Sequence, residues 1–277
     1  MIGRLKARTR AAHWLIAAIV FTIAPLAGAT ESISVAGAST LLPAIREAAK
    51  AYSEKTGVKI EVTGGGSSIG ISSVLSGHAD IGMVSRELSA DERSKLTPFL
   101  LGHDTVVPIV HAANPVQSLS HDQLASIFKG QPAHWKTFGG NDQQITVLVK
   151  KHGRSTRQIW DVFFALDGKT PEAAHQTGAN LAMLLFVAAD NSAIGYVSAG
   201  TVASAQLRGI QVRELRIDGH PAATARSPAG QVLSRELNLV TAGNPRPVVR
   251  RFIEYTRSED GGEFLRKQGF LVGGSAR

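Results

Sequence analysis

Beyond residue 29 the chain alternates short β-branched apolar runs with longer stretches whose apolar positions recur every three or four residues. Residues 33–36 predict a strand, and a helix follows over 41–56, with Ile45, Ala48, Ala49 and Tyr52 on one face. Gly57 is placed to end that helix. Residues 58–63 predict a second strand, 69–76 a short helix and 79–84 a third strand. Strand and helix alternating at this spacing predict a parallel sheet with helical crossovers, an α/β fold.

The second part of the chain is less regular. Residues 105–112 predict an apolar strand ending at the Asn114-Pro115 turn, and Ser120 caps a helix that reaches Phe128. Residues 130–140 read as a loop with an exposed Trp135. Strands are predicted over 145–149, 193–198, 212–217 and 237–241, and helices over 155–166, 247–256 and 261–268. The strand at 237–241 is expected to return the chain to the first sheet. The expected organisation is therefore two α/β lobes with a ligand cleft between them: residues 30–111 with 238–277 as the first, and 112–237 as the second.

The first 29 residues carry Arg4, Lys6, Arg8 and Arg10, then an apolar run over 14–26, then Ala27-Gly28-Ala29. That order predicts a cleaved secretory signal and a periplasmic protein. The apolar run is shorter than the roughly 20 residues of a spanning helix. Absence of cysteine excludes disulfides, thiolate metal sites and a lipid-modified cysteine. The full chain has 30 basic and 22 acidic residues. Setting aside the four basic residues of the signal leaves 26 against 22, a balance of +4. With no long basic run and few aromatic residues, nucleic acid is not an expected partner, whereas an anionic ligand is.

Three predicted strand-to-helix junctions share one composition: Gly37-Ala38-Ser39-Thr40, Gly64-Gly65-Gly66-Ser67-Ser68 and His152-Gly153-Arg154-Ser155-Thr156. A helix N-terminus has unpaired N–H donors and partial positive charge, glycine allows close approach, and Ser and Thr add donors without charge. One such loop is explained by capping alone. Three at the C-terminal ends of predicted parallel strands, where α/β sheets bind ligands, point to a small oxyanion site. Ser85-Arg86 and Lys150 are expected on the same side.

At these residues the sequence resembles the substrate-binding proteins of phosphate ABC transporters, which have the type II periplasmic binding-protein fold. The motifs are Val35-Ala36-Gly37-Ala38-Ser39-Thr40, the glycine-rich loop at 64–68, Ala79-Asp80-Ile81-Gly82-Met83-Val84-Ser85-Arg86, Ala193-Ile194-Gly195-Tyr196-Val197 and Leu233-Ser234-Arg235. The C-terminal stretch 251–270 continues the similarity. The resemblance implies that Ser39, Thr40, Ser67, Ser85, Arg86, Lys150, Gly153, Arg154, Ser155 and Thr156 hold phosphate. It implies delivery to an inner-membrane ABC permease by hinge closure of a monomer. The family's third loop typically reads Arg-x-x-Gly-Ser-Gly-Thr. Here Lys150 replaces its cation, Arg154 its serine and Ser155 its second glycine, and only lysine's point charge remains where arginine would offer a fork.

The alternatives are a receptor for sulfate, molybdate or a small organophosphate, and a phosphate sensor without a transporter. A phosphoester hydrolase is disfavoured. Leu41 and Ile69 stand where a Gly-x-Ser-x-Gly elbow needs its last glycine, no Walker lysine follows the glycines, and no two of the nine histidines have metal-ligand spacing. No cofactor and no metal are expected.

Overall fold

The computed structural model describes residues 31–131, 133–167 and 171–272. The expected signal at 1–29 lies outside the described residues. The first part follows the predicted alternation: β1 (Ser32–Gly37), α1 (Leu42–Thr56), β2 (Lys59–Gly64), α2 (Ser67–Leu75) and β3 (Ile81–Val84). β1 pairs in parallel with β2 and with β3. α1 buries Ala44, Ile45, Ala48, Ala49 and Tyr52, and Gly57 ends it at a φ of 75°. α3 (Ala90–Lys95) has no apolar stripe to announce it and buries none of its residues; a reciprocal capping box between Ser89 and Glu92 defines it.

The chain continues through β4 (Leu96–His111), β5 (Ser118–Leu119), α4 (His121–Phe128), β6 (Thr146–Lys150), α5 (Ser155–Phe163), β7 (His175–Thr177), α6 (Asn180–Ala189), β8 (Ala193–Ser198) and α7 (Ala199–Leu207). It ends with β9 (Val212–Glu214), β10 (Arg216–Ile217), β11 (Ser234–Ala242), α8 (Pro247–Arg257), α9 (Glu259–Lys267) and β12 (Leu271–Val272). Ser120 caps α4 as expected, in a box with Gln123.

Several expectations are corrected. The strand expected at 105–112 is the second half of the 16-residue β4. The strand expected at 212–217 divides, β9 pairing with β4 and β10 with β5. Trp135 is not exposed: it opens a short 3-10 helix, is 1% accessible, and its Nε1 donates to Ser192 O at 2.8 Å. α6 and α7 went unpredicted because α6 is apolar almost all round and α7 consists largely of small residues, so neither shows a periodic stripe.

The strand order is β2-β1-β3-β11-β4-β8-β6-β7. One strand serves both halves. β4 pairs antiparallel with β11 along 96–105 and with β8 along 106–110. The core divides accordingly. One cluster joins Ile33, Ile45, Ile81, Leu237 and Phe252, and another joins Val106, Phe128, Trp160, Tyr196 and Leu233. In the latter, Trp160 stacks on Tyr196 with centroids 4.5 Å apart. Among the described residues no helix is long and apolar enough to cross a membrane.

Candidate functional site

The parallel strands β1, β2 and β6 each end in a loop that starts a helix, as the sequence predicts. The three loops meet. A small cavity is lined by Ser39 and Thr40 ahead of α1, Gly66 ahead of α2, Ser85 after β3, Lys150 at the end of β6, and Arg154, Ser155 and Thr156 at the start of α5. Gly178 and Asn180, at the start of α6, complete it. Gly66 sits at a φ of 113°, and a Cβ there would lie 2.9 Å from the Gly153 carbonyl oxygen and 3.1 Å from Arg154 Cδ. Glycine is therefore required by both angle and space where the second and third loops touch.

The cap pattern separates the cleft helices from the rest. α1, α2, α5 and α6 have no side chain hydrogen-bonded to their first turns. α3, α4, α7 and α9 are capped by the hydroxyls of Ser89, Ser120, Ser198 and Ser258. Among the described helices, α8, led by Arg246 and Pro247, and the 3-10 helix opened by Trp135 lie outside the cleft and also lack a side-chain cap. Plain helix capping thus does not account for the serines and threonines of the three loops. Their hydroxyls face one another instead: Ser85 Oγ and Ser155 Oγ are 2.6 Å apart, and the Ser85 N–H donates to Ser67 Oγ at 3.0 Å.

Two residues at the centre of this network are given no ligand role by the sequence, although Arg235 belongs to the Leu233-Ser234-Arg235 motif. Arg235 on β11 donates to Asp104 Oδ2 from Nε at 3.0 Å and from a terminal nitrogen at 2.7 Å. It reaches Thr156 Oγ1 at 3.0 Å and Thr40 Oγ1 at 3.1 Å, so one guanidinium ties the first and third loops to the paired strands. Asp104, its register partner on β4, also accepts from Ser198 Oγ at 2.8 Å. Both side chains are 1% exposed. Nothing local marks their pairing, because β4 and β11 lie more than a hundred residues apart in the chain. Asn180 was equally missed, although Gly178-Ala179-Asn180 has the composition of the loops that were recognised.

Lys150 is 1% exposed, and its Nζ donates to the Ala179 carbonyl at 2.9 Å. Burial, then the cations of Arg154 and Arg235, hold its pKa well below the lysine range. Arg154 is also lowered by burial. The lining holds these cations and no carboxylate; Asp104, behind Arg235, is occupied by Arg235 and Ser198.

Arg86 departs from its expected place. It does not line the cavity, and its two terminal nitrogens grip the Glu92 carboxylate at 2.7 Å each. Ser67 and Gly153 are not in the lining either: Ser67 is fully buried with its Oγ accepting from the Ser85 N–H, and Gly153 abuts Gly66. The Arg86 hydrogen bonds hold Glu92 down at about 2. A lowered carboxylate stabilises the fold above its unfolded pKa and loses that contribution as pH falls through the folded value. Arg86→Met is expected to cost about 1 kcal/mol at pH 7, a difference that narrows as the pH falls from about 4.5 to about 2. It should leave anion affinity within about threefold. Denaturation midpoints at both pH values, with a ligand titration, check this.

Comparison with known proteins supplies context. A model of the PBP superfamily domain matches residues 24–260. The phosphate-binding protein PstS of Bacillus subtilis is 28% identical over 238 residues, covering 84% of this chain and 77% of that protein. A crystal structure from Clostridium perfringens with bound phosphate superposes with a TM-score of 0.77 at 27% identity, covering 88% of this chain and all of that one. An ABC-type phosphate transport receptor from Vibrio cholerae gives a TM-score of 0.67 at 27% identity, again over 88% of this chain and all of the other.

Proposed function

The chain belongs to the PBP superfamily, and from that premise we propose that it is a periplasmic solute-binding protein for inorganic phosphate, serving an ABC permease in the inner membrane. The carrying observation is the convergence of four helix N-termini without side-chain caps on one cavity lined by Lys150 and Arg154. Such termini favour negative charge, and hydrogen bonds to a charged acceptor contribute roughly 1.5–3 kcal/mol each. Ser39, Thr40, Ser67, Ser85, Gly153, Arg154, Ser155 and Thr156 are assigned to the ligand side, with Asn180 added and Arg86 left to its ion pair.

The lobes exchange along β4 and β11, and Asp104 and Arg235 sit at that crossing. Closure gathers Lys150, Arg154 and Arg235 around a cleft, and the carboxylate of Asp104 beside them is already engaged. An anion supplies the missing negative charge, so it favours the closed form over the open one. Loaded and empty protein then differ in shape, which is what a permease would distinguish. The relatives compared above are named for binding phosphate or for phosphate transport, and this chain is assigned no catalytic step.

Ser85, Ser67 and Ser39 are neutral, so a second oxyanion, sulfate, is the competitor to test. A pocket with no free carboxylate has only hydroxyls to accept the proton that phosphate retains. Calorimetric titration is expected to show one phosphate per chain with micromolar or tighter affinity, about −8.2 kcal/mol or better. Sulfate displacing phosphate at every pH from about 6 to 8 would reassign the ligand, and no heat with either anion would remove the receptor reading.

A further inference from the structure

Beside the anion cavity lies a second space between the two lobes, about 300 Å³ in volume. Ser39 and Asn180 line both. Leu42 from α1 and Leu184 from α6 supply apolar wall, and Arg46 and Arg208 also line it. The shared Asn180 is buried, and its Nδ2 spans Thr40 Oγ1 at 3.4 Å and Thr201 Oγ1 at 3.2 Å. The anion cavity and this groove are neighbours that share Ser39 and Asn180 as common walls.

The two compartments differ in chemistry. The first offers hydroxyls, helix N-termini and cations, and it suits a tetrahedral oxyanion. The second offers the side chains of Leu42, Leu184 and Ile210 around a space that small organic ligands occupy, with Arg46 and Arg208 both in its lining. A ligand using both has an oxyanion head and a compact apolar body attached through one of its oxygens or through phosphorus itself. We propose that this protein binds phosphonates and phosphomonoesters carrying a compact apolar substituent, the head in the anion cavity and the substituent in the groove. The proposal rests on the anion reading above and extends it to a wider substrate class.

The test uses phenylphosphonate and inorganic phosphate, titrated calorimetrically into the full protein and its Ser204→Trp variant. Ser204 lines the groove on α7 but not the anion cavity. Both ligands are expected to bind the parent. The tryptophan is expected to weaken phenylphosphonate about tenfold or more and to leave phosphate within about threefold. Phosphate binding without phenylphosphonate binding overturns the proposal while the phosphate reading stands. Phenylphosphonate binding without phosphate binding supports the groove and overturns the inorganic reading, and binding of neither removes both. An unaffected phenylphosphonate affinity in the variant also overturns the groove. Equal weakening of both ligands is resolved by Leu181→Gln, since Leu181 lines the groove at a 54%-exposed helix position. Selective loss of phenylphosphonate there supports the proposal, and any other result overturns it.

Discussion

Asp104→Ala is expected to lower the thermal midpoint by roughly 6–15 °C, the largest stability loss of any single substitution discussed for this protein. Asp104 and Arg235 are paired between β4 and β11 with both side chains 1% exposed. Removing one partner of a buried ion pair leaves a desolvated charge behind, at a cost of about 3–5 kcal/mol. The effect extends beyond the pair, because Arg235 also holds Thr40 and Thr156. Asp104→Asn keeps an acceptor for the guanidinium and should lose less. Saturating phosphate is expected to recover more stability in Asp104→Ala than in the parent, because the ligand becomes the anion nearest Arg235. Differential scanning calorimetry with and without phosphate reads both effects, and a midpoint within about 2 °C of the parent would contradict the assignment.

Lys150→Met is expected to do the reverse, leaving stability unchanged or raised while anion affinity falls about 100-fold or more. Lys150 is buried against Arg154 and Arg235, and the partner of its Nζ is a carbonyl. A methionine of similar length removes a desolvated charge and the repulsion around it. The same change removes a cation from the cavity lining, and truncating a buried charge partner costs about 2–5 kcal/mol of affinity. The pH dependence follows from the direction of the shift. Lysine lowered in the folded state means that the unfolded chain binds more protons, so this group's destabilising contribution is present at low pH and shrinks as pH rises toward the ordinary lysine range. The ligand-free parent should therefore gain stability relative to Lys150→Met between neutral pH and about 10. Parallel denaturation curves of parent and variant across that range would show that Lys150 is not the buried cation described here.

Much of the architecture was legible because it rests on local periodicity. α1 shows its core face as a three-and-four spacing, β1 and β3 are short apolar runs, and Ser120 with Gln123 marks the start of α4. The three Ser/Thr/Gly loops were legible for the same reason, since strand, turn residues and helix adjoin in the chain. Arg86 was misplaced by that logic: its position beside Ser85 is local information, whereas its orientation toward Glu92 depends on α3. Trp135 was misjudged because a loop-like composition says nothing of what packs over it.

Local order along the chain therefore determined which segments become strands and helices, and which helix starts are rich in donors. Tertiary structure alone decided that these starts face one cavity, that Asn180 joins them from α6, and that Arg235 and Asp104 pair across β4 and β11. The physical reason is range. Periodicity and capping act over three or four residues, whereas the charge balance of the cleft depends on groups more than a hundred residues apart, brought together only when two strands align in register.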